Sequence, residues 1–85
     1  AFISATSWNI KGITTSDESK VALKRALYNQ TKEKILLCDS GKYGTEATYV
    51  ALPITAFDII ITDSGLDYVD QKKIIEKNIN LVVLK

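Results

Sequence analysis

Histidine is missing from these 85 residues, and cysteine, proline and tryptophan occur once each. Without histidine the segment can build neither a Ser-His-Asp or Cys-His triad nor a histidine-based metal site. One cysteine cannot close an internal disulfide. Cys38 lies inside an apolar run and reads as a small buried hydrophobe, in keeping with a reducing cytoplasm. No charge of one sign dominates: 11 Lys and Arg against 10 Asp and Glu leave a net charge of +1. That balance offers this segment no electrostatic grip on nucleic acid. No apolar run approaches the roughly 18 residues of a membrane helix, and no signal-peptide pattern is present. The Gly-x-Gly-x-x-Gly dinucleotide fingerprint is absent. Gly41-Lys42 does not sit in a phosphate loop, because Leu36 and Tyr43 stand where a Gly and a Ser or Thr are required.

What is there is a globular composition, 46% hydrophobic and 25% charged. It fits one small domain or a piece of a larger one. Residues 2–5 (FISA) and 81–84 (LVVL) are both apolar, which favours a fragment of a longer protein over a small complete domain.

The stretch that organises the rest is 35–44, ILLCDSGKYG. Its first four residues form a short apolar run with a charged lead-in and a turn signal behind. That pattern reads as a strand buried on both faces of a parallel sheet. Ligands of open parallel sheets bind outside the carboxyl ends of the strands. Asp39 and Lys42 stand there, a carboxylate and an ammonium on a glycine-bounded turn. They suit a polar, anionic small molecule. The same residues also suit a plain turn with a solvated lysine, and their spacing alone does not choose.

In chain order, residues 2–7 read as a strand running into a polar loop, with Gly12 as a turn. Thr15 and Glu18 match a capping box, with Ser16 an alternative cap, and the helix behind it runs to about Thr31. Leu23 and Leu27 share one of its faces, Val21, Lys24, Arg25 and Tyr28 the next. A period of two over 47–52 favours a short strand ended by Pro53. Residues 57–63 (FDIIITD) read as a second buried strand, 68–78 as a helix capped by Asp67, and 81–84 as the last strand. The order is βαβ logic, an α/β fold with a mainly parallel sheet and right-handed crossovers. The expected core has 35–38, 59–61 and 81–84 as adjacent parallel strands with Leu23 and Leu27 packed on them. Two helix N-termini remain as anion sites. The first offers Thr14, Thr15 and Ser16 but also Asp17 and Glu18. The second is flanked by Asp63 and Asp67 and suits sugar hydroxyls better than phosphate. Simple capping competes with ligand binding at both.

Four elements in combination carry a family resemblance: Gly12-x-Thr14-Thr15 before a helix, Val21-x-x-Lys24-Arg25 within it, Asp39-Ser40-x-Lys42-x-Gly44 after a strand, and Asp58 through Asp63 later. Over nearly its whole length the chain resembles the C-terminal effector-sensing domain of DeoR-family bacterial transcriptional repressors. The resemblance implies a Rossmann-like fold similar to phosphosugar isomerases. It implies that residues 1–85 are the C-terminal part of a sugar-phosphate-sensing domain, with a DNA-binding domain and the first half of the sensor outside this chain. The implied partners are a phosphorylated sugar effector, operator DNA through that other domain, and further copies in a homo-oligomer. No cofactor, metal or membrane is implied, and the setting is the cytoplasm and the regulation of carbohydrate metabolism.

The resemblance also assigns residues. Asp39, Lys42, Thr14, Thr15, Lys24, Gly44 and Ser7 form the implied effector site. Lys42 is expected to face a pocket with Asp39 beside it and Thr14 and Thr15 across. Asp39-Ser40-Gly41-Lys42 is similar to the isomerases' Asp-x-Ser-Lys. Their catalytic acid before the helix-borne lysine is unmatched, because Leu23 precedes Lys24. Losing that acid/base group favours binding without turnover. Ser4-Ala5-Thr6-Ser7 replaces the family's frequent Gly-Ala-Asp-Gly. Trp8 beside it is either a sugar-stacking platform or a packing residue. The competing reading is a sugar-phosphate isomerase-like enzyme, which would need Asp39 or Asp63 to move a proton. A blander one is a half-domain that serves oligomerisation.

Overall fold

A computed structural model describes residues 2–85. Strands β1 (Phe2–Ala5), β4 (Ile35–Cys38), β6 (Ile59–Asp63) and β7 (Asn80–Leu84) form one sheet in the order β1-β4-β6-β7, parallel throughout. Its register sets Ile3, Leu36, Ile60 and Leu81 in one row. The three expected parallel strands are therefore adjacent, and the α/β fold stands.

Strands β2 (Ser7–Asn9), β3 (Gly12–Thr15) and β5 (Tyr49–Pro53) make a second, antiparallel sheet in the order β2-β3-β5. Residues 7–15 are thus a hairpin rather than a loop with a turn at Gly12. Gly12 sits inside β3 at φ 150°. A Cβ there would lie 2.1 Å from the Leu52 carbonyl oxygen and 2.8 Å from Pro53 Cα, so close backbone approach requires glycine.

Helix α1 (Glu18–Gln30) links β3 to β4, and α2 (Tyr68–Ile75) links β6 to β7. The N-cap of α1 is Asp17, whose carboxylate accepts from the Ser19 amide at 3.0 Å and from the Ser19 hydroxyl at 2.7 Å. Thr15 is not the cap. Its hydroxyl accepts the Asp17 amide one turn earlier, at 3.2 Å. A carboxylate two residues before the first free amides out-competes the hydroxyl for them. At the other end Lys34 donates to the carbonyls of Tyr28 and Thr31 and sits 4.2 Å from the Tyr28 ring, so a cation closes the negative end. Helix α2 stops at Ile75, short of the expected 78. Asn78 turns the chain at φ 63°.

Each strand of the parallel sheet is added on the same side of the last. Right-handed crossovers then place every connection on one face. The buried cluster agrees: Ile3, Leu36, Cys38 and Ile60 pack with Trp8, Ile13, Ala51, Leu52, Ile54, Phe57, Leu66 and Ile74. The opposite face lies open among the described residues. Leu37 is 45% exposed, so the 35–38 strand is buried on one face and not on both. Leu23 and Leu27 do not pack on the strands either. They are 59% and 41% exposed, and α1 buries no residue fully. The helix rests instead on its neighbouring face. Val21 and Tyr28 reach the core, and Arg25 donates to the carbonyls of Ala51 (2.9 Å) and Val50 (3.3 Å) on β5.

Candidate functional site

Two polar regions lie near the carboxyl ends of the parallel strands. The first is the 39–44 turn behind β4. Asp39 Oδ1 accepts the Gly41 amide at 2.8 Å and so caps a 3-10 turn, Ser40–Lys42. Asp63, at the end of β6, accepts the Ser40 amide (3.1 Å), the Ser40 hydroxyl, and the Gly65 amide (2.9 Å). These bonds, the Ser40 hydroxyl first, hold the Asp63 carboxyl below its ordinary pKa. Trp8 is fully buried. Its indole N–H donates to the Asp39 carbonyl at 2.9 Å, its own carbonyl accepts the Gly44 amide at 2.8 Å, and its ring meets Tyr43 edge-on at 4.7 Å. Trp8 is therefore a packing residue that fastens the turn, and not a platform for a sugar face. Gly44 holds φ 87° with open space around its missing Cβ. Lys42 ends the turn with an exposed side chain.

The second region is a groove of about 420 Å³ between β1 and α1. Lys24 donates to the Ser4 carbonyl at 2.5 Å across it, and Leu23 and Leu27 lie further along the same wall. The lining is polar at Thr6, Thr15, Lys20 and Lys24, its polar end, and apolar at Phe2, Leu23 and Leu27. Partial burial, followed by repulsion from Lys20, pushes the Lys24 ammonium below its ordinary pKa. A bound anion would relieve that repulsion.

Of the seven expected site residues the structure brings two to the groove, Thr15 and Lys24. Asp39, Lys42 and Gly44 share the turn behind β4, and none of them lines the groove. Thr14 is buried, and its hydroxyl accepts the Ala47 amide at 3.0 Å. Ser7 is half-buried opposite Thr14 in the hairpin. Thr6 and Lys20 are groove residues that the sequence reading missed. A signal existed for Lys20, which stands four residues before Lys24 and so shares its helix face. None existed for Thr6, whose place depends on how α1 crosses β1.

Cys38 donates weakly to the Ile61 carbonyl at 3.9 Å. Burial, then the charges of Asp39 and Asp63, pushes its thiol up to about 12, so it is no nucleophile. Among the described residues no cluster of three potential metal ligands occurs, and no helix is long and apolar enough to cross a membrane.

Residues 1–64 match the family model described as the DeoR C terminal sensor domain. The whole chain is 45% identical over 85 residues to the HTH-type transcriptional regulator YgbI of Escherichia coli (strain K12). It is 44% identical over 84 residues to an HTH-type transcriptional regulator of Haemophilus influenzae (strain ATCC 51907 / DSM 11121 / KW20 / Rd). It is 26% identical over 84 residues to the HTH-type regulator YulB of Bacillus subtilis (strain 168). These alignments take in 98–100% of this chain and 33% of each relative. The chain thus spans about a third of the length of the curated relatives it matches.

Proposed function

Because the chain belongs to the DeoR C-terminal sensor-domain family, we propose that it is the effector-binding part of a DNA-binding transcriptional regulator and that its effector is a phosphorylated sugar. The observation that carries this reading is the polar end of the β1–α1 groove. Lys20 and Lys24 stand one helical turn apart on α1, and Thr6 and Thr15 line the same groove. Two ammonium groups that repel each other and share a cavity with hydroxyls match a phosphate dianion. A charge-assisted hydrogen bond to such a group contributes about 1.5–3 kcal/mol. Asp39 and Lys42 stand on the neighbouring strand end and serve the sugar side, Asp39 through the carboxylate oxygen that the Gly41 amide leaves free. Thr14, Gly44 and Ser7 shape that end through the hairpin and the turn.

Binding proceeds without turnover. The carboxylates nearest the strand ends, Asp39 and Asp63, are engaged in capping turns. A general base poised for proton abstraction needs a raised pKa, and that of Asp63 is lowered. Effector binding shifts the full-length regulator between two conformations of different operator affinity. Operator contact, oligomerisation and a cytoplasmic setting belong to that longer protein.

The test is calorimetric titration of the full-length regulator with a panel of phosphosugars, alongside operator binding. Lys24→Ala is expected to weaken the phosphosugar about ten- to a hundredfold, one decade per ~1.4 kcal/mol, and to leave operator affinity without effector unchanged. Equal affinity in wild type and Lys24→Ala would remove the groove from effector binding. Turnover of any phosphosugar would revive the isomerase-like reading.

A further inference from the structure

Strand β7 bounds the far side of the parallel sheet and, among the described residues, pairs with β6 alone. The Asn80 amide donates to the Asp58 carbonyl at 3.0 Å, toward β6. Strand alternation then turns the backbone groups of Val82 and Leu84 the same way, and those of Leu81 and Val83 outward. Exposed edges are commonly blunted by a charge, a proline or a bulge. At β1 the Lys24 ammonium does this at the Ser4 carbonyl. Strand β7 carries no charged residue and no proline, and its register against β6 runs without a shift from Asn80 to Leu84. Beside it, α2 buries Ile74 and leaves Tyr68 69% and Ile75 54% exposed. Those two stand two helical turns apart on one flank. Asp70 lies on the other flank. Burial, then the Asp70 charge, raises the pKa of the Tyr43 phenol, so Asp70 faces the turn behind β4. In a right-handed crossover the flank with Tyr68 and Ile75 is then the one over the β7 edge.

We propose that the β7 edge, together with the Tyr68 and Ile75 flank of α2, is the surface on which a second copy of this chain docks, its own β7 lying antiparallel across a two-fold axis normal to the sheet. The surface is self-complementary. With the axis at Val82, the outward groups of Leu81 and Val83 in one copy meet those of Val83 and Leu81 in the other. The two Val82 residues then face each other as a non-hydrogen-bonded pair, and two parallel sheets join into one. Helix α2 links β6 to β7 and packs on β7. The α2 axes of the two copies therefore stand two strand spacings apart, about 10 Å, the distance at which helices pack. They run antiparallel, and Tyr68 of each copy meets Ile75 of the other. Lys72 lies 5.3 Å from the ring of its own Tyr68 and stays with its own helix. A net charge of +1 sets no long-range barrier to self-association.

The test uses the full-length regulator carrying Val82→Cys, oxidised with glutathione disulfide. Facing residues of a non-hydrogen-bonded pair have Cα atoms about 4.5 Å apart, within disulfide reach. The expected result is a covalent dimer as the main species. Lys73→Cys, an exposed site on the opposite flank of α2, reports random collision and should give several-fold less. Adding Tyr68→Asp to Val82→Cys should slow disulfide formation several-fold. A Val82→Cys yield no greater than that of Lys73→Cys overturns the inference, and so does an unchanged rate with Tyr68→Asp. Hydrogen exchange on the unsubstituted regulator reads the same contact. The outward Leu81 and Val83 amides should exchange within about tenfold of the inward Val82 amide. Faster exchange leaves the edge free and overturns the inference. Slow exchange without the disulfide means that another strand occupies the edge, and also overturns it. The inference takes from the proposed function only that the regulator oligomerises. A regulator that is oligomeric but forms no such disulfide would keep that reading and lose this surface.

Discussion

The turn at 39–44 and the polar end of the β1–α1 groove both lie near strand ends, the turn built from Asp, Ser and Lys and the groove from Thr and Lys. They differ in where their hydrogen bonds go. In the turn, Asp39 is bonded to Gly41, Asp63 to Ser40 and Gly65, and Trp8 to the backbone on either side. Polar groups satisfied by one another fix a conformation. At the polar end of the groove Lys20 and Lys24 line one cavity, and Lys24 is disfavoured as a cation by partial burial and by Lys20, with the Ser4 carbonyl as its hydrogen-bond partner. Groups left in that state have binding free energy still to gain. The contrast explains why the motif richest in family resemblance, Asp39-Ser40-x-Lys42-x-Gly44, forms a turn of its own while a plainer lysine pair lines the cavity.

The largest expected effect is on the turn's anchor. Trp8→Ala empties a fully buried site and removes the indole bond to Asp39. It should cost about 3–5 kcal/mol by denaturant unfolding. A loss under about 1 kcal/mol would mean that the turn holds itself, and the contrast with the groove would weaken. Asp63→Asn should act next, and only at one end of the pH scale. The folded-state pKa of Asp63 is lowered by the Ser40 hydroxyl and the Gly65 and Ser40 amides. Its stabilisation is therefore complete above the unfolded value of about 4 and is lost as pH falls through the folded value. The variant should be less stable at neutral pH and show a flatter acid limb in a plot of Tm against pH. An acid limb unchanged from wild type would assign that limb to other carboxylates, Asp17 first among them. The smallest effect sharpens the comparison itself. Lys42→Ala in the full-length regulator should change phosphosugar affinity by less than about threefold, against the decade or more expected of Lys24→Ala. A tenfold loss at Lys42 would move the phosphate to the turn.

Much of the fold was legible because short apolar runs and capping residues act locally. The runs at 35–38, 59–61 and 81–84 each became a strand, and helices formed where they were expected, α2 ending early at Ile75 and without a side-chain bond from Asp67. Boundaries moved where two local bonds competed, as at Thr15 and Asp17. The hairpin at 7–15 was hidden because Gly12 takes its meaning from Pro53 on β5 and Trp8 from Asp39 and Gly44 in the turn behind β4, all distant in sequence. The site was less legible. Spacing along the chain shows which residues share a turn or a helix face, but not which turn is already satisfied by Asp63 or Trp8.

By itself the sequence determined the α/β class, the parallel order of the central strands and the absence of histidine chemistry, since each follows from residue type and local period. Tertiary structure alone decided that every crossover falls on one face, that β1 is an edge overhung by Leu23 and Leu27, and that Lys24 and not Lys42 lines the β1–α1 groove. These outcomes depend on how distant segments cross, and a carboxylate or an ammonium carries no mark in the chain of which partner will reach it first.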